Sequence, residues 1–306
     1  MNVQTKPAMQ SRAMLFALLA VLCWSTVATA FKLSLAHLTP LQLIMVASIT
    51  ALCALLALMV WQGRAKELVQ QSRTVYLRSV GFAVLNPVLY YVVLLYAYSQ
   101  LPAQEAQALN YSWAIVLTLM AVPLLGHKLG KFDVIAAATC YIGVLVIATR
   151  GDLLALNFSN VFGVSMALLS TLIWSTYWIL SRQDTREPIL GLTLNFIFAL
   201  PILVLILAWS GDLKALMQGV HLQGWLGGMY VGLVEIGLGF GFWMIAMKLA
   251  TNTSRIANLI FLSPFLSLFF IATFLGEAIL MSTLIGLGLI IVGLIIQQSL
   301  GVKIEE

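Results

Sequence analysis

One carboxyl group lies where an apolar segment would ordinarily exclude it. Glu235 is the only acid in the middle of a long apolar run, and Gly228, Gly232 and Gly239 fall on its own helical face. Because a face of small residues packs against neighbouring helices, Glu235 is predicted to point into a helix bundle. There it could couple proton movement or bind a substrate amine. The alternative is a protonated carboxyl that donates to a backbone carbonyl.

A second polar segment begins at Gln104. Gln107 and Tyr111 continue its helical stripe, Asn110 lies beside them, and Trp113 follows. Amide, phenol and indole groups together could stack on and hydrogen-bond an amphipathic ligand. Tyrosine and tryptophan are also enriched where a membrane meets water, so an interfacial position is the alternative. The segment predicts Gln107, Asn110, Tyr111 and Trp113 as substrate-binding residues.

Aromatic and amide side chains in other apolar runs complete the candidate binding site. Asn86 and Tyr90 share a helical face at i, i+4. Tyr98 and Trp178 lie near the ends of their runs, where an interfacial aromatic belt is expected. The residues predicted to line a cavity here are Trp24, Asn86, Tyr90, Trp174, Tyr177, Trp243 and Asn258.

Two charged residues could act as gates. Glu105 and Arg255 lie 150 residues apart, each at the end of a predicted membrane span. Alternatively, both are ordinary residues at helix ends.

The elements that position these residues follow from composition. Of the 306 residues 61% are hydrophobic and 9% are charged, and the mean hydropathy is +1.01, whereas soluble domains are about 45 to 50% apolar. A membrane-crossing helix needs roughly 20 mainly apolar residues. The sequence therefore predicts an all-α integral membrane protein. Its ten predicted transmembrane spans are 13–31, 41–61, 79–98, 105–125, 133–149, 161–180, 189–209, 223–247, 254–274 and 281–298.

Positive charge predicts the orientation of these spans. Lysine and arginine accumulate in cytoplasmic loops, and an inside N-terminus places 13 of the 16 basic residues on the cytoplasmic side. Only Lys32, Arg150 and Lys214 then fall outside. Both termini are predicted to be cytoplasmic. An alternative for the first span is a signal peptide cleaved near Ala28-Thr29-Ala30.

An internal repeat relates the two halves of the chain. Residues 17–26 match residues 167–176 at seven of ten positions, including Trp-Ser-Thr, and the same 150-residue offset pairs Gly126 with Gly276 and Gly143 with Gly293. Five spans in each half make the second copy enter from the opposite side, which gives a 5+5 inverted-topology repeat. That architecture is typical of secondary transporters. The predicted organisation is a cytoplasmic tail 1–12, repeats 13–150 and 151–298, and a cytoplasmic tail 299–306.

Several other classes of protein are disfavoured. The three cysteines lie in apolar runs and make an odd count, which argues against disulfides, and the three histidines show no metal-ligand spacing. The segment from Gly126 to Phe132 lacks the spacing and hydroxyl of a nucleotide-binding loop. We therefore predict no cofactor, no metal and no enzymatic activity. The charge bias explains the net charge of +5 without a nucleic-acid partner.

The chain resembles the EamA-type family of the drug/metabolite transporter superfamily. The resemblance rests on ten spans in two halves, Trp-Ser-Thr in spans 1 and 6, and Leu275-Gly276-Glu277 after span 9. Glu105 followed by Asn110-Tyr111-Ser112-Trp113 is similar to the Glu-x4-Asn-Tyr-x-Trp segment of YddG-type aromatic amino-acid exporters. Ala114 replaces the proline that follows this tryptophan in those exporters, and Gly126-His127-Lys128 replaces Leu-Gly-Glu in the first half.

This resemblance implies a cavity lined by spans 1, 3, 4, 6, 8 and 9 in a monomeric exporter of the bacterial inner membrane. The missing proline leaves open whether span 4 bends. The leading function is export of small amphipathic metabolites, aromatic or other neutral amino acids first, by alternating access around a midplane cavity. Alternatives are transport of another class such as sugar phosphates, or a membrane sensor or enzyme that moves no substrate. The expected partners are a small-molecule substrate and the lipid bilayer.

Overall fold

The protein is described by a computed structural model that covers residues 6–126, 130–153, 160–251, 256 and 258–300. Within these ranges all regular secondary structure is helical. Nine of the helical stretches found there are long and apolar enough to cross a membrane, and Leu259–Leu275 is a shorter apolar stretch. The nine are Met9–Leu35, Pro40–Trp61, Arg73–Gln100, Ala103–Leu125, Lys131–Ala148, Val161–Arg182, Pro188–Ser210, Leu222–Leu249 and Met281–Leu300.

The prediction of an all-helical membrane protein is confirmed. The ninth predicted span, 254–274, overlaps the shorter stretch, and residues 252–255 and 257 at its start lie outside the described residues. The count of ten spans and the cytoplasmic location of both termini stay predictions.

The α-helices with described bounds are numbered here in chain order. They are α1 (Lys6–Leu35), α2 (Pro40–Trp61), α3 (Arg73–Ala83), α4 (Tyr90–Gln100), α5 (Ala103–Asn110), α6 (Trp113–Leu125), α7 (Lys131–Ala148), α8 (Val161–Arg182), α9 (Pro188–Ser210), α10 (Asp212–Gln218), α11 (Leu222–Tyr230), α12 (Phe240–Leu249), α13 (Ser263–Phe270) and α14 (Met281–Leu300). Short 3₁₀ helices cover Ala65–Val69 and Asn258–Leu262, and π-helical segments cover Val84–Leu89, Val231–Gly239 and Ile271–Leu275.

Residues at several helix ends explain why the helices begin and end there. Before α2, the Thr39 side chain accepts from the backbone N–H of Gln42 at 3.2 Å, and the Gln42 side chain accepts from the N–H of Thr39 at 3.0 Å. This reciprocal pair is a capping box. Gly126 and Gly276 follow the ends of their helices at φ 70° and 67°, a left-handed conformation that favours glycine. The glycines paired in the repeat thus terminate equivalent helices.

Two membrane helices are interrupted at equivalent positions of the repeat. Val84–Leu89 separates α3 from α4, and Val231–Gly239, which contains Glu235, separates α11 from α12. Asn86 leaves the helical region, with φ −149° and ψ 118°, because a residue before proline is disfavoured there and Pro87 has no N–H to continue the ladder. The second interruption contains no proline.

Span 4 is discontinuous although it lacks the proline. α5 ends at Asn110, α6 begins at Trp113, and the two residues between them form a turn. The Ser112 hydroxyl donates to the carbonyl of Leu109 at 2.8 Å, and the Ser112 N–H bonds the same carbonyl at 3.2 Å. This i to i−3 pairing tightens the chain as a 3₁₀ turn does. Ala114 therefore does not prevent the break.

The chain folds into two compact units that interleave along the sequence. Unit 1 comprises Met1–Glu67 and Leu203–Gly276, and unit 2 comprises Leu68–Ile202 and Glu277–Glu306. Each unit takes helices from both halves of the repeat. Spans 1, 8 and 9 belong to unit 1 and spans 3, 4 and 6 to unit 2, so the cavity lined by all six stays a prediction from the sequence.

Glycines set the closest helix approaches inside each unit. In unit 2, α7 crosses α14 where a Cβ at Gly143 would lie 2.5 Å from the carbonyl oxygen of Gly286. In unit 1, α11 packs on α1 and α2, and a Cβ at Gly228 would lie 2.6 Å from the Val46 side chain. Such approaches are typical of small residues at membrane helix interfaces.

Candidate functional site

Trp174 of α8 is the centre of an aromatic cluster in unit 2. Its ring stacks on Tyr90 at 4.4 Å and on Tyr177 at 5.4 Å between centroids, with interplanar angles of 25° and 18°. The rings of Trp113 and Trp178 stand nearly perpendicular to it, at 6.5 and 5.9 Å. Such stacked and edge-to-face pairs add to the energy of burial. The structure thus brings together four predicted residues of spans 3, 4 and 6.

Trp178 belongs to this cluster, although its position near a span end suggests a membrane belt. Its ring is nearly parallel to that of Trp113, at 6.4 Å and 14°. Tyr98, the other residue expected in the belt, is only 4% exposed. Trp178 follows Trp174 at i+4 on α8, so the two residues share a helical face. That spacing was the feature of the sequence that could have placed Trp178 in the cluster.

Asn86 adds a polar group to the edge of the aromatic cluster. Its side chain hydrogen-bonds the hydroxyl of Tyr177, and it is 6% exposed. Its Oδ1 and the Nε1 of Trp178 are buried without a partner among the described residues. Because an unpaired buried polar atom is costly, this acceptor and this donor point to hydrogen bonds with a bound molecule.

The polar segment of span 4 is buried within unit 2 and does not lie at an exposed interface. Gln107 is 6% exposed, and its Oε1 has no partner in the described part of the chain. Asn110 donates from Nδ2 to the Ser170 hydroxyl at 2.9 Å. Tyr111 forms the turn between α5 and α6 and is partly exposed. Two predicted binding residues therefore lie at the break in this span, Asn110 at the end of α5 and Tyr111 in the turn itself.

The serine of each Trp-Ser-Thr motif ties its helix to a discontinuous one. In unit 2, Ser175 Oγ donates to the carbonyl of Trp113 at 3.0 Å. In unit 1, Ser25 Oγ lies 2.6 Å from the carbonyl of Val21 and 3.4 Å from Ser263 Oγ. Because Trp113 and Ser263 are 150 residues apart, the two contacts are equivalent, which explains why the motif occurs in both halves.

The acid of Leu275-Gly276-Glu277 caps a helix of unit 2. The Glu277 carboxylate accepts from the backbone N–H groups of Ala103 and Gln104, at 2.9 and 3.4 Å, at the start of α5. Gln104 in turn donates to the carbonyl of Ala278 at 2.9 Å and accepts from the N–H of Leu280 at 2.9 Å. A carboxylate here is favoured by the free N–H groups and the helix dipole.

Glu105 pairs with a cation at the end of span 5. Its carboxylate is 1% exposed and lies 2.7 Å from Nε of Arg150, whose side chain is 49% exposed. Arg150 holds a φ of 52°, which favours glycine over arginine, so a side-chain role explains an arginine there. Arg255, the other predicted gate residue, lies outside the described residues.

Two of the candidates in unit 1, Trp24 and Trp243, are in contact. Trp24 contacts Trp243 at 5.4 Å and Phe240 at 5.6 Å between ring centroids. Glu235 lies in the π-helical segment and is partly buried. Asn258 begins a 3₁₀ helix, and its side chain lies outside the described part of the molecule.

A cleft of about 520 Å³ opens in unit 1 between α1, α11 and the end of span 9. Thr26 and Tyr230 hydrogen-bond through their hydroxyls at 2.7 Å on its wall. Its volume and mainly apolar lining are those of small-molecule sites. The cleft could not be predicted from the sequence, because most of its residues are small or apolar and carry no chemical signal, as Thr29, Ala30, Leu33, Gly227 and Phe274 illustrate.

Comparison with known proteins identifies the family. The model of the EamA-like transporter family matches residues 11–149 and, a second time, residues 161–297. The chain belongs to the EamA-like transporter family. The two consecutive matches fit the internal repeat predicted from the sequence. Membership of this family agrees with the prediction of a multi-pass membrane transporter.

Individual relatives of this EamA-like transporter are distant. One from Clostridium kluyveri, named "Uncharacterized transporter", is 24% identical over 220 residues, which cover 70% of this chain and 69% of that protein. A solved structure described as "Crystal structure of protein" aligns with a TM-score of 0.62 and 21% identity, covering 94% of this chain and 96% of its own. That likeness concerns the fold alone. The more specific resemblance to aromatic amino-acid exporters stays a prediction.

Arg150→Ala is expected to destabilise this EamA-like transporter. Removing one partner of a buried ion pair costs about 3 to 5 kcal/mol, and we expect the lower end or less because Arg150 is half exposed. The melting temperature of the purified protein in detergent measures the loss. Adding Glu105→Gln should recover most of it, because the buried carboxylate is then gone. A melting temperature of Arg150→Ala equal to wild type would show that the pair contributes nothing.

Proposed function

We propose that the protein is a ten-span secondary transporter of the bacterial inner membrane, with both termini in the cytoplasm. It exports small amphipathic metabolites, aromatic or other neutral amino acids first, by alternating access. The observation that carries this proposal is the aromatic cluster of unit 2. Its stacked rings adjoin an acceptor on Asn86 and a donor on Trp178 that lack partners within the described part of the chain. A planar ring with polar substituents complements such a surface.

Two further observations favour uncharged or zwitterionic substrates. No predicted span carries a lysine or arginine at its centre to meet a lone carboxylate or a phosphate, which disfavours sugar phosphates. The cleft of unit 1 is mainly apolar and of a size for small molecules. Membership of a transporter family, together with the absence of any nucleophile and base pair in the apolar runs, disfavours an enzyme.

The chemistry of each side chain determines the role that we propose for it. Residues of unit 2 bind the substrate through rings and amides, and Trp24, Trp243 and Asn258 extend this set in unit 1. Glu235 is the proposed coupling carboxyl, because it is an acid in a membrane span and lies where the helix is π-distorted.

Counterflow in liposomes tests substrate and coupling together. Wild-type protein is expected to exchange labelled phenylalanine and tryptophan, threonine more weakly, and a sugar phosphate not at all. Glu235→Gln should keep this exchange, since counterflow needs no gradient, but should lose uptake driven by a pH gradient. Glu67→Gln, which removes a carboxylate in the short 3₁₀ helix Ala65–Val69 outside the predicted spans, is the control and should keep both.

Each outcome of this experiment decides one part of the proposal. Exchange of none of the four compounds, in vesicles that contain folded protein, would overturn the amino-acid assignment. Gradient-driven uptake that survives in Glu235→Gln would remove Glu235 from the coupling step.

A further inference from the structure

Unit 2 contains a buried cation that the proposed binding site does not include. Arg186 lies in the connection between α8 and α9, yet its side chain is only 5% exposed. Arginine is rarely buried to this degree unless it is paired. The groups that hold it therefore indicate what it does.

The guanidinium of Arg186 is almost saturated by protein acceptors. Asp184 receives bonds from Nε at 2.9 and 3.0 Å and from Nη2 at 2.7 Å. Nη1 donates to Ser79 Oγ at 2.5 Å and to Asn195 Oδ1 at 3.1 Å. With four of its five N–H groups engaged, Arg186 is no receptor for a substrate anion. Its contacts instead join α3 and α9 to the end of α8.

The same cation leads to the aromatic cluster through one ring. It lies 4.8 Å from the centroid of Phe82, within the range of a cation–π contact. Phe82 meets Tyr177 edge to face, at 5.7 Å and 89°. Tyr177 stacks on Trp174 and hydrogen-bonds Asn86. Arg186 is therefore connected to Tyr177 by two successive contacts and to Asn86 by a third, and Oδ1 of Asn86 has no partner among the described residues.

The fold does not need this charge cluster in order to close. At the 150-residue offset its members correspond to Ala36, Ser34, Met229, Met45 and Gly232, none of which is charged. In unit 1 the equivalent region closes by small residues, with Gly227 against the Ser34 side chain and Gly232 against the Ala47 carbonyl. Where the repeat builds the same helices without charge, the arginine cluster serves something particular to unit 2. Trp24 and Phe240 of unit 1 repeat the contact of Trp174 with Tyr90, whereas Tyr177 and Asn86 correspond to Val27 and Ile236 and are particular to unit 2.

We propose that Arg186 is a positioning residue for the aromatic binding site. Clamped by Asp184, it fixes the ring of Phe82, and Phe82 fixes the orientation of Tyr177 and Asn86. The role in substrate recognition rests on the proposed function of the cluster, whereas the effect on ring geometry does not. Lysine cannot replace this arginine, because a point charge lacks the bidentate fork and the planar face.

The test combines a spectroscopic readout with transport. Near-ultraviolet circular dichroism of purified protein in detergent reports the asymmetric stacking of the aromatic rings, and far-ultraviolet dichroism reports helix content. Arg186→Lys and Phe82→Leu should each change the near-ultraviolet signal at unchanged helix content. Each should raise the KM for tryptophan counterflow on the order of tenfold, about 1.4 kcal/mol, and leave kcat within about twofold. Arg182→Lys, an exposed arginine of α8, is the control and should change neither.

Phe82→Leu distinguishes a positioning role of Arg186 from a purely structural one. It keeps the Arg186–Asp184 ion pair and removes only the aromatic ring that connects Arg186 to Tyr177. The proposal would be overturned if Arg186→Lys and Phe82→Leu both lowered the melting temperature but kept the wild-type near-ultraviolet spectrum and the wild-type KM. Arg186 would then only stabilise the fold. Failure of wild-type protein to exchange tryptophan would defeat the proposed function. The spectra would then still decide whether Arg186 positions the rings.

Discussion

Trp174→Ala is expected to abolish counterflow of aromatic amino acids. Trp174 is 9% exposed and contacts four other rings, two by stacking and two edge to face. Truncating a buried tryptophan costs about 3 to 5 kcal/mol where the site cannot collapse. The substitution also removes the ring on which Tyr90 and Tyr177 both stack. The surface proposed to bind the substrate ring therefore disappears.

Two further variants separate this functional loss from a general loss of folding. Trp174→Phe keeps a ring on which Tyr90 and Tyr177 can stack and should retain exchange with a KM raised a fewfold. Trp209→Ala removes a tryptophan that is 91% exposed and should behave as wild type. Initial counterflow rates are compared per amount of protein that elutes as a monodisperse peak. Folded Trp174→Ala with wild-type KM for tryptophan would remove the cluster from the substrate path.

The membrane architecture could be predicted because it depends on composition over long windows. Twenty apolar residues in a row leave a bilayer helix as the only way to satisfy the backbone, and the predicted bounds agree with the long helices to within a few residues. The repeat was visible for a similar reason, since the glycines at 126 and 276 and the Trp-Ser-Thr motifs each carry a local requirement. Gly126 and Gly276 need a positive φ, and both motif serines bond a discontinuous helix.

Interruptions inside the spans were harder to predict. Pro87 supplied a signal for the break at Asn86, because proline restricts the residue before it. Tyr111 and Ser112 break span 4 without proline, and the π-helical segment around Glu235 has neither proline nor a turn motif. Apolar periodicity is nearly the same for an α-helix and for a helix with one inserted residue, so these features depend on packing.

Side-chain partners were the least predictable part of the candidate site. Glu105 and Arg255 are equivalent in the repeat, but nothing in the sequence indicated that the Glu105 carboxylate contacts Arg150, 45 residues further along the chain. Trp178 looked interfacial from its place near a span end, yet it packs on Trp113 and Trp174. Such contacts depend on which helices become neighbours inside a unit. Hydropathy and spacing do not contain that information.

Gly286→Val is expected to lower the stability of unit 2 far more than Gly288→Val in the same helix α14. A Cβ at Gly286 would lie 2.5 Å from Cγ1 of Ile147 and 2.6 Å from the carbonyl oxygen of Gly143. Overpacking a well-packed interior usually costs about 1 to 3 kcal/mol, occasionally more. We expect at least the upper end, because a backbone oxygen cannot rotate aside as a flexible side chain does and α7 must move away from α14.

Gly288→Val is the matched control for this effect. Gly288 lies two residues further along the same helix, and a Cβ there would meet nothing within 4 Å. Both substitutions change helix propensity by the same few tenths of a kcal/mol, so the difference between their melting temperatures in detergent isolates the helix contact. Equal melting temperatures would mean that α7 and α14 do not approach as closely as their glycines suggest.

The repeat extends this prediction to a second position. Gly293 corresponds to Gly143 and lies against Ala136, the counterpart of Gly286, with a Cβ 2.7 Å from the Ala136 carbonyl oxygen. The crossing of α7 and α14 is thus made twice by equivalent residues. Gly293→Val should therefore cost about as much as Gly286→Val, and the double variant should cost less than the sum, because helices already separated at one point meet less resistance at the other.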